Sequence, residues 1–297
     1  GSTVGGWADN AIAIGTGAVV NGPTGSSKGN NAIAIGTGAT VNDSEGRAQG
    51  NNAIAMGFGA KTIGENTIAM GMTAKANKES GIAVGREANV SGSYGIAIGR
   101  NANVSTTEDN AIALGRNTVA GRDSAIAVGL GAQATGQFSL AAGRYANASG
   151  REALAMGLSA CATKNNSLAL GPNAKAQGTS TIALGNGAVT DDSTGAVALG
   201  LSANASGINT LALGQSASAS KGSAIALGAR AKANAAAGMA LGMDANVSTD
   251  YSVALGAGST AGARNALTSI QVSGVEVGNN GKANGAAVLA VGNSTAA

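Results

Sequence analysis

Bulky and small apolar residues alternate in short bursts that end on glycine. Ala11-Ile12-Ala13-Ile14-Gly15 recurs as Ala32-Ile33-Ala34-Ile35-Gly36 and again as Ala53-Ile54-Ala55-Met56-Gly57. With the closing glycine as anchor, the series runs Gly15, Gly36, Gly57, Gly71, Gly85, Gly99 and onward to Gly256, with looser members at Gly278 and Gly292. Thirteen of the eighteen intervals are 14 residues long, and the others are 21, 21, 16, 15 and 22. Alternation with period two over four or five residues predicts a strand before each anchor. Three and five residues after the anchor come Ala or a β-branched residue, as in Ala88 and Val90, which predicts a second strand. Gly, Asn, Ser and Asp, the turn formers, separate the two.

Two strands and two turns in 14 residues make one flattened coil, and successive coils pair in parallel, like with like. About nineteen coils at about 4.8 Å each would stack to roughly 90 Å. A helix is excluded, because every unit would carry glycine at a cost of about 1 kcal/mol apiece. A hexapeptide β-helix does not fit a 14-residue period, and a calcium-binding nonapeptide roll needs an aspartate in every turn. Both faces of the first strand are apolar, Ile or Leu on one and Ala on the other. Only one can face the interior. The other leaves a long apolar stripe, far larger than a soluble monomer exposes, so identical chains around a symmetry axis are expected. We expect the bulky residues inside the roll and the central Ala at the subunit seam; the pattern also permits the reverse.

Composition narrows the possibilities further. The 297 residues include 49 Gly, well above the usual ~7%, while aromatic residues make up only 2%. So few large side chains cannot fill a rounded core, but they suit a thin repeat. Two prolines and irregular glycine spacing exclude collagen. The chain has no His and one cysteine, Cys161, so the commonest general base, a disulfide and a Cys-rich metal cluster are all excluded. No apolar run approaches the ~18 residues of a transmembrane helix, and no signal peptide opens the chain. Gly1-Ser2 reads as a cloning scar, so an excised piece of a longer protein is expected. No cofactor, metal, nucleic-acid partner or enzymatic activity is expected.

The repeated Asn-Ala-Ile-Ala-Ile-Gly of Asn10–Gly15 and Asn31–Gly36, with Asn-Ala-Ile-Ala-Leu-Gly at Asn110–Gly115, resembles the head repeat of trimeric autotransporter adhesins, the YadA-like heads of Gram-negative bacteria. The resemblance is strong over residues 9–262 and weak over 263–297, with 1–8 as scar and N-terminal cap. It implies an all-β, left-handed parallel β-roll, three chains around a central axis, displayed on the outer membrane at the end of a stalk. The implied partners are two further copies of the chain and a host extracellular-matrix protein (collagen, fibronectin, laminin) or cell-surface receptor. Membrane attachment would run only through a C-terminal anchor; neither that anchor, a neck motif nor coiled-coil heptads appear in this sequence.

Recognition residues are sought where the repeat is interrupted. The two 21-residue intervals add loops at Asn21–Gly29, with Pro23 and Lys28, and at Asn42–Gly50, with Asp43, Glu45 and Arg47. Three-fold symmetry would crown one end with six such loops, and loops on a rigid scaffold often carry binding. The bland alternative is tolerated insertion, since lengthening a surface loop costs little. A second candidate is the column just after the anchor, with Arg86, Arg100, Arg116 and Arg144, read either as a basic ribbon for an acidic partner or as arginines paired with Glu87, Glu108, Asp109 or Asp123. Smaller insertions lie near Thr106–Asp109 and Asp191–Thr194. Asn89, Asn103, Asn147, Asn204 and Asn246 share a column and read as turn formers or an Asn ladder rather than glycosylation sites. Asp191-Asp192 reads as a turn rather than a metal site, Cys161 as an apolar filler, and Trp7 as an end cap.

Adhesion is the leading function. A structural spacer that projects another binding domain is the alternative. An ice-binding solenoid is a distant third, because it would show a regular Thr-x-Thr ladder that this chain lacks.

Overall fold

The computed structural model describes residues 1–5, 8–20, 30–41, 51–105 and 110–262. Among them there is no helix, and the chain winds as a two-stranded solenoid. Each coil has a three-residue strand before the anchor glycine and a two-residue strand after it, for example Ile96–Ile98 and Asn103–Val104 around Gly99. Seventeen coils are described, a stack of about 80 Å at ~4.8 Å per step. The expected coils at Gly278 and Gly292, and all of 263–297, lie outside the described residues.

Every pairing is parallel and in register. Ile82, Ala83 and Val84 face Ile96, Ala97 and Ile98, while Asn89 and Val90 face Asn103 and Val104. The register survives the longer intervals, since Ile12 still faces Ile33 and Ile182 faces Val197. The extra residue of the described Asp191–Thr194 turn is therefore carried outside the ladder. Hydrogen bonding also continues around the corners: Gly99 N donates to Val84 O at 2.8 Å and Asn101 N to Arg86 O at 2.9 Å. Each coil is thus bonded to the next along nearly its whole contour, which satisfies the backbone polar groups that so thin a structure would otherwise leave open.

The anchor glycine is dictated by this closeness. Gly85 has φ +130°, and a Cβ there would lie 2.5 Å from the carbonyl oxygen of Gly99 in the next coil. No side chain fits.

The interior corrects one expectation. The central Ala of the first strand is fully buried in coil after coil (Ala83, Ala97, Ala127, Ala226), together with Ala88, Ala102, Val90 and Val104 from the other side. The bulky flanking residues point outward: Ile98 is 44% exposed, Leu227 40% and Leu255 45%. The two strands of a coil are joined by turns of only a few residues, so the sheets lie too close for anything larger than Ala, Val or Thr between them. Successive side chains of a strand must alternate faces, so burying Ala expels its neighbours.

The few buried hydroxyls have a local solution. Thr67, Thr181 and Thr210 each donate to the carbonyl three residues earlier, on Gly64, Gly178 and Gly207, at 2.8, 2.7 and 2.7 Å. The buried hydroxyls of Thr62 and Thr190 have no such partner.

Candidate functional site: the faces and edges of the roll

The outward side chains of the first sheet form an unbroken apolar face of two columns of Ile, Leu, Val and Met. Apart from Ala142, every outward position just before an anchor is large, from Ile14 to Leu255. A face of this length exceeds what a soluble monomer normally leaves open.

The second sheet presents a polar face. Asn89, Asn103, Asn147, Asn204 and Asn246 each open a two-residue strand and alternate with a buried Ala or Val. They are strand residues, not turn formers. Asn89 Nδ2 donates to Asn103 Oδ1 at 2.9 Å and to Ser91 Oγ at 3.1 Å, and Asn77 Nδ2 donates to Asn89 Oδ1 at 3.4 Å, which makes a ladder there. Turn-side ladders are separate: Asn52 donates to Asn66 at 3.0 Å and Asn101 to Asn117 at 3.1 Å.

Cys161 sits in the same outward column, facing Asn147 and Lys175 on the neighbouring strands. It is half-buried and is not a core filler: the alternation that buries Ala162 turns Cys161 outward. Partial burial pushes its thiol pKa up, with Lys175 pulling the other way.

Arg86, Arg100, Arg116 and Arg144 lie one above another at the first turn, all exposed. Of the acids suggested as partners, Glu87 takes the role, accepting from Arg86 Nε at 3.0 Å. Among the described residues neither Arg100 nor Arg116 has a carboxylate within salt-bridge reach; Glu108 and Asp109 lie outside them. Arg144 instead covers the ring of Tyr145, 5.1 Å from its centroid. Further along the same edge Arg230 grips Asp244 by two hydrogen bonds of 2.7 Å. That contact holds the Asp244 carboxyl below the usual carboxylate range and raises the guanidinium.

Asn21, Pro23, Lys28, Asp43, Glu45, Arg47 and Trp7 lie outside the described residues, as does Thr106–Asp109. Asp192 is solvent-facing and 3.5 Å from Lys164 Nζ. No group of three metal-ligating side chains occurs among the described residues, and no described helix is long and apolar enough to cross a membrane.

Sequence reasoning missed the edge aromatics. Tyr94, Phe138 and Tyr251 occupy the last position of the second turn, at φ +55°, +57° and +58°, where other coils carry Asn, Ser or another small or polar residue. Their signal was legible: large rings in a column of turn formers.

No curated protein matches the chain closely enough to count as a relative. The profile of the YadA head domain repeat, however, matches it at residues 8–25, 27–44, 48–74, 76–102, 107–132, 134–160, 162–188, 192–217, 219–245 and 233–259. These matches follow the coils from the first to the last one described. With the anchor glycine, the buried central Ala and the in-register ladder accounted for, the chain belongs to the YadA head domain family and is a surface domain of the adhesin type.

Proposed function

We propose that this head is a homotrimer that attaches a Gram-negative bacterium to host extracellular matrix or cell-surface receptors, as the extracellular part of an outer-membrane autotransporter. The family membership supports the adhesive role. The uncovered Ile/Leu face supports the trimer, because three chains turning that face to a common axis would remove it from water. At about 25 cal/mol per Å² its burial is a strong drive to associate.

A repeating rod offers nearly the same surface at every coil, so specific recognition belongs where regularity breaks. The leading site is the pair of inserted loops, Asn21–Gly29 and Asn42–Gly50, presented in three copies so that weak contacts add by avidity. The competing site is the column of Arg86, Arg100, Arg116 and Arg144, whose binding to an acidic partner would fall steeply with salt. The test is adhesion of the trimer to immobilised collagen, fibronectin, laminin and intact host cells, with two variants side by side. Shortening both loops to ordinary turns should weaken binding while sedimentation still reports a trimer. If the loop-shortened trimer binds like the parent and an Arg-to-Ser column variant that also sediments as a trimer does not, the lateral column replaces the loops. The regular repetition of the coils favours one further reading, a spacer, and failure to bind any surface would select it.

A further inference from the structure

The repeat that builds the apolar face also creates an ambiguity. Because each coil presents the same Ile/Leu pair, sliding one chain past another by one coil re-forms nearly every apolar contact. Burial alone therefore specifies height weakly, as for any strand pairing without distinguishing residues. Something non-repeating must define it.

A cyclic trimer brings unlike edges together. The interface is heterologous, so the first-turn edge of one chain meets the second-turn edge of its neighbour, and a pure rotation keeps each coil level with its own copies. The residues flanking the apolar face are the one after the anchor on the first edge and the one five before it on the second. In the coil closed by Gly99 these are Arg100 and Tyr94; in the coil closed by Gly143 they are Arg144 and Phe138. Tyr94 is 49% exposed and Phe138 47%.

Both rings sit at left-handed backbone positions, which are unfavourable for bulky residues, and such outliers point to a function that maintains them. The Gly143 coil is also the one whose outward residue before the anchor is small, Ala142. A methyl group there leaves room beside Arg144. Arg151 lies 6.0 Å from the Phe138 centroid in the same chain, and the Tyr94 hydroxyl reaches Glu79 at 3.4 Å, so an incoming guanidinium would find a carboxylate beside the ring.

We propose that, between subunits, Arg100 stacks on the neighbour's Tyr94 and Arg144 moves from its own Tyr145 ring to the neighbour's Phe138, and that these paired cation–π contacts set the height register of the trimer. Level alignment satisfies both rings. A one-coil slip leaves Phe138 against Leu130 or Leu158 and keeps only the Tyr94 contact, with Arg86 or Arg116. The inference rests on the trimer proposed above and assigns two of the four column arginines to the seam rather than to a ligand.

The test mixes two populations of the chain, one labelled with a nitroxide on the native Cys161 and one with a gadolinium label on Asn204→Cys in a Cys161→Ser background, both on the outer sheet and three coils apart. It reads the double electron–electron resonance distance between unlike labels, which runs oblique to the axis and so responds to a one-coil slip. Three proteins are compared with the parent: Tyr94→Ser with Phe138→Ser, Arg100→Gln with Arg144→Gln, and all four together. Circular dichroism checks that each remains β. The parent should be a trimer with one narrow distance. Each double variant should lower the trimer association constant by about tenfold or more and split or broaden the distance distribution, and the quadruple variant should be no worse than either. Tyr94→Phe, which keeps the ring, should behave as the parent. A parent that sediments as a monomer overturns the trimer and this contact with it. A trimeric parent whose variants lose affinity additively, or keep the single narrow distance, overturns the contact alone.

Discussion

Two buried threonines in one coil should respond in opposite directions to the same substitution. Thr181 and Thr190 flank Gly185 and are both fully buried. Thr181 donates its hydroxyl to Gly178 O at 2.7 Å. The Thr190 hydroxyl has no partner, and its ladder neighbours are Ala176 and Ala205, which offer only methyl groups. A buried hydroxyl without a bond carries a desolvation cost of about 1–3 kcal/mol. Thr190→Val keeps the shape, removes that cost and adds an apolar methyl, so a gain of about 1–2 kcal/mol per chain is expected. Thr181→Val breaks a bond and leaves a buried carbonyl without its donor, so a loss of about 1 kcal/mol is expected. Urea unfolding followed by circular dichroism reads both as shifts in midpoint at unchanged slope. If unfolding couples the three chains, each shift is magnified by the copy number. Shifts of the same sign would refute the reasoning, because they would mean that shape and β propensity, not hydroxyl satisfaction, control these positions.

Other perturbations address the backbone, the charges and the thiol. Gly85→Ala should destabilise by at least ~2 kcal/mol, because a left-handed residue of this kind costs about 1–3 kcal/mol before its contact with the Gly99 carbonyl is counted; a near-neutral urea midpoint would show that the coils separate easily. Asp244 has its pKa lowered by the Arg230 hydrogen bonds first, so its contribution is present above the ordinary carboxylate pKa of ~3.9 and is lost as pH falls through the lower folded value. The melting-temperature gap between the parent and Asp244→Asn should therefore close on going from pH 6 to about pH 2, and a gap that stays constant contradicts the pairing. Cys161, its thiol pKa raised by burial, should react with a maleimide at pH 8 more slowly than in the urea-unfolded chain, and Lys175→Gln should slow it further. A faster reaction in the folded protein would overturn the burial argument.

Much of the architecture was legible in the residues themselves. The 14-residue spacing of the anchors determines two strands per coil and parallel pairing in register, because only that stacking places every glycine over the next. Period-two alternation shows that Ile96 and Ile98 share one face while Ala97 takes the other. It does not say which face is inside. That was decided by the cross-section of the closed coil, whose short turns bring the two sheets so near that only Ala97, Ala102 and Val104 fit between them. The same closure turned Cys161 outward and placed Asn89 and Asn103 on a strand rather than in a turn. Sequence spacing determines alternation and repeat, which are local properties of the backbone. Inside and outside depend on the distance between two sheets, and that distance exists only once the chain has turned both corners.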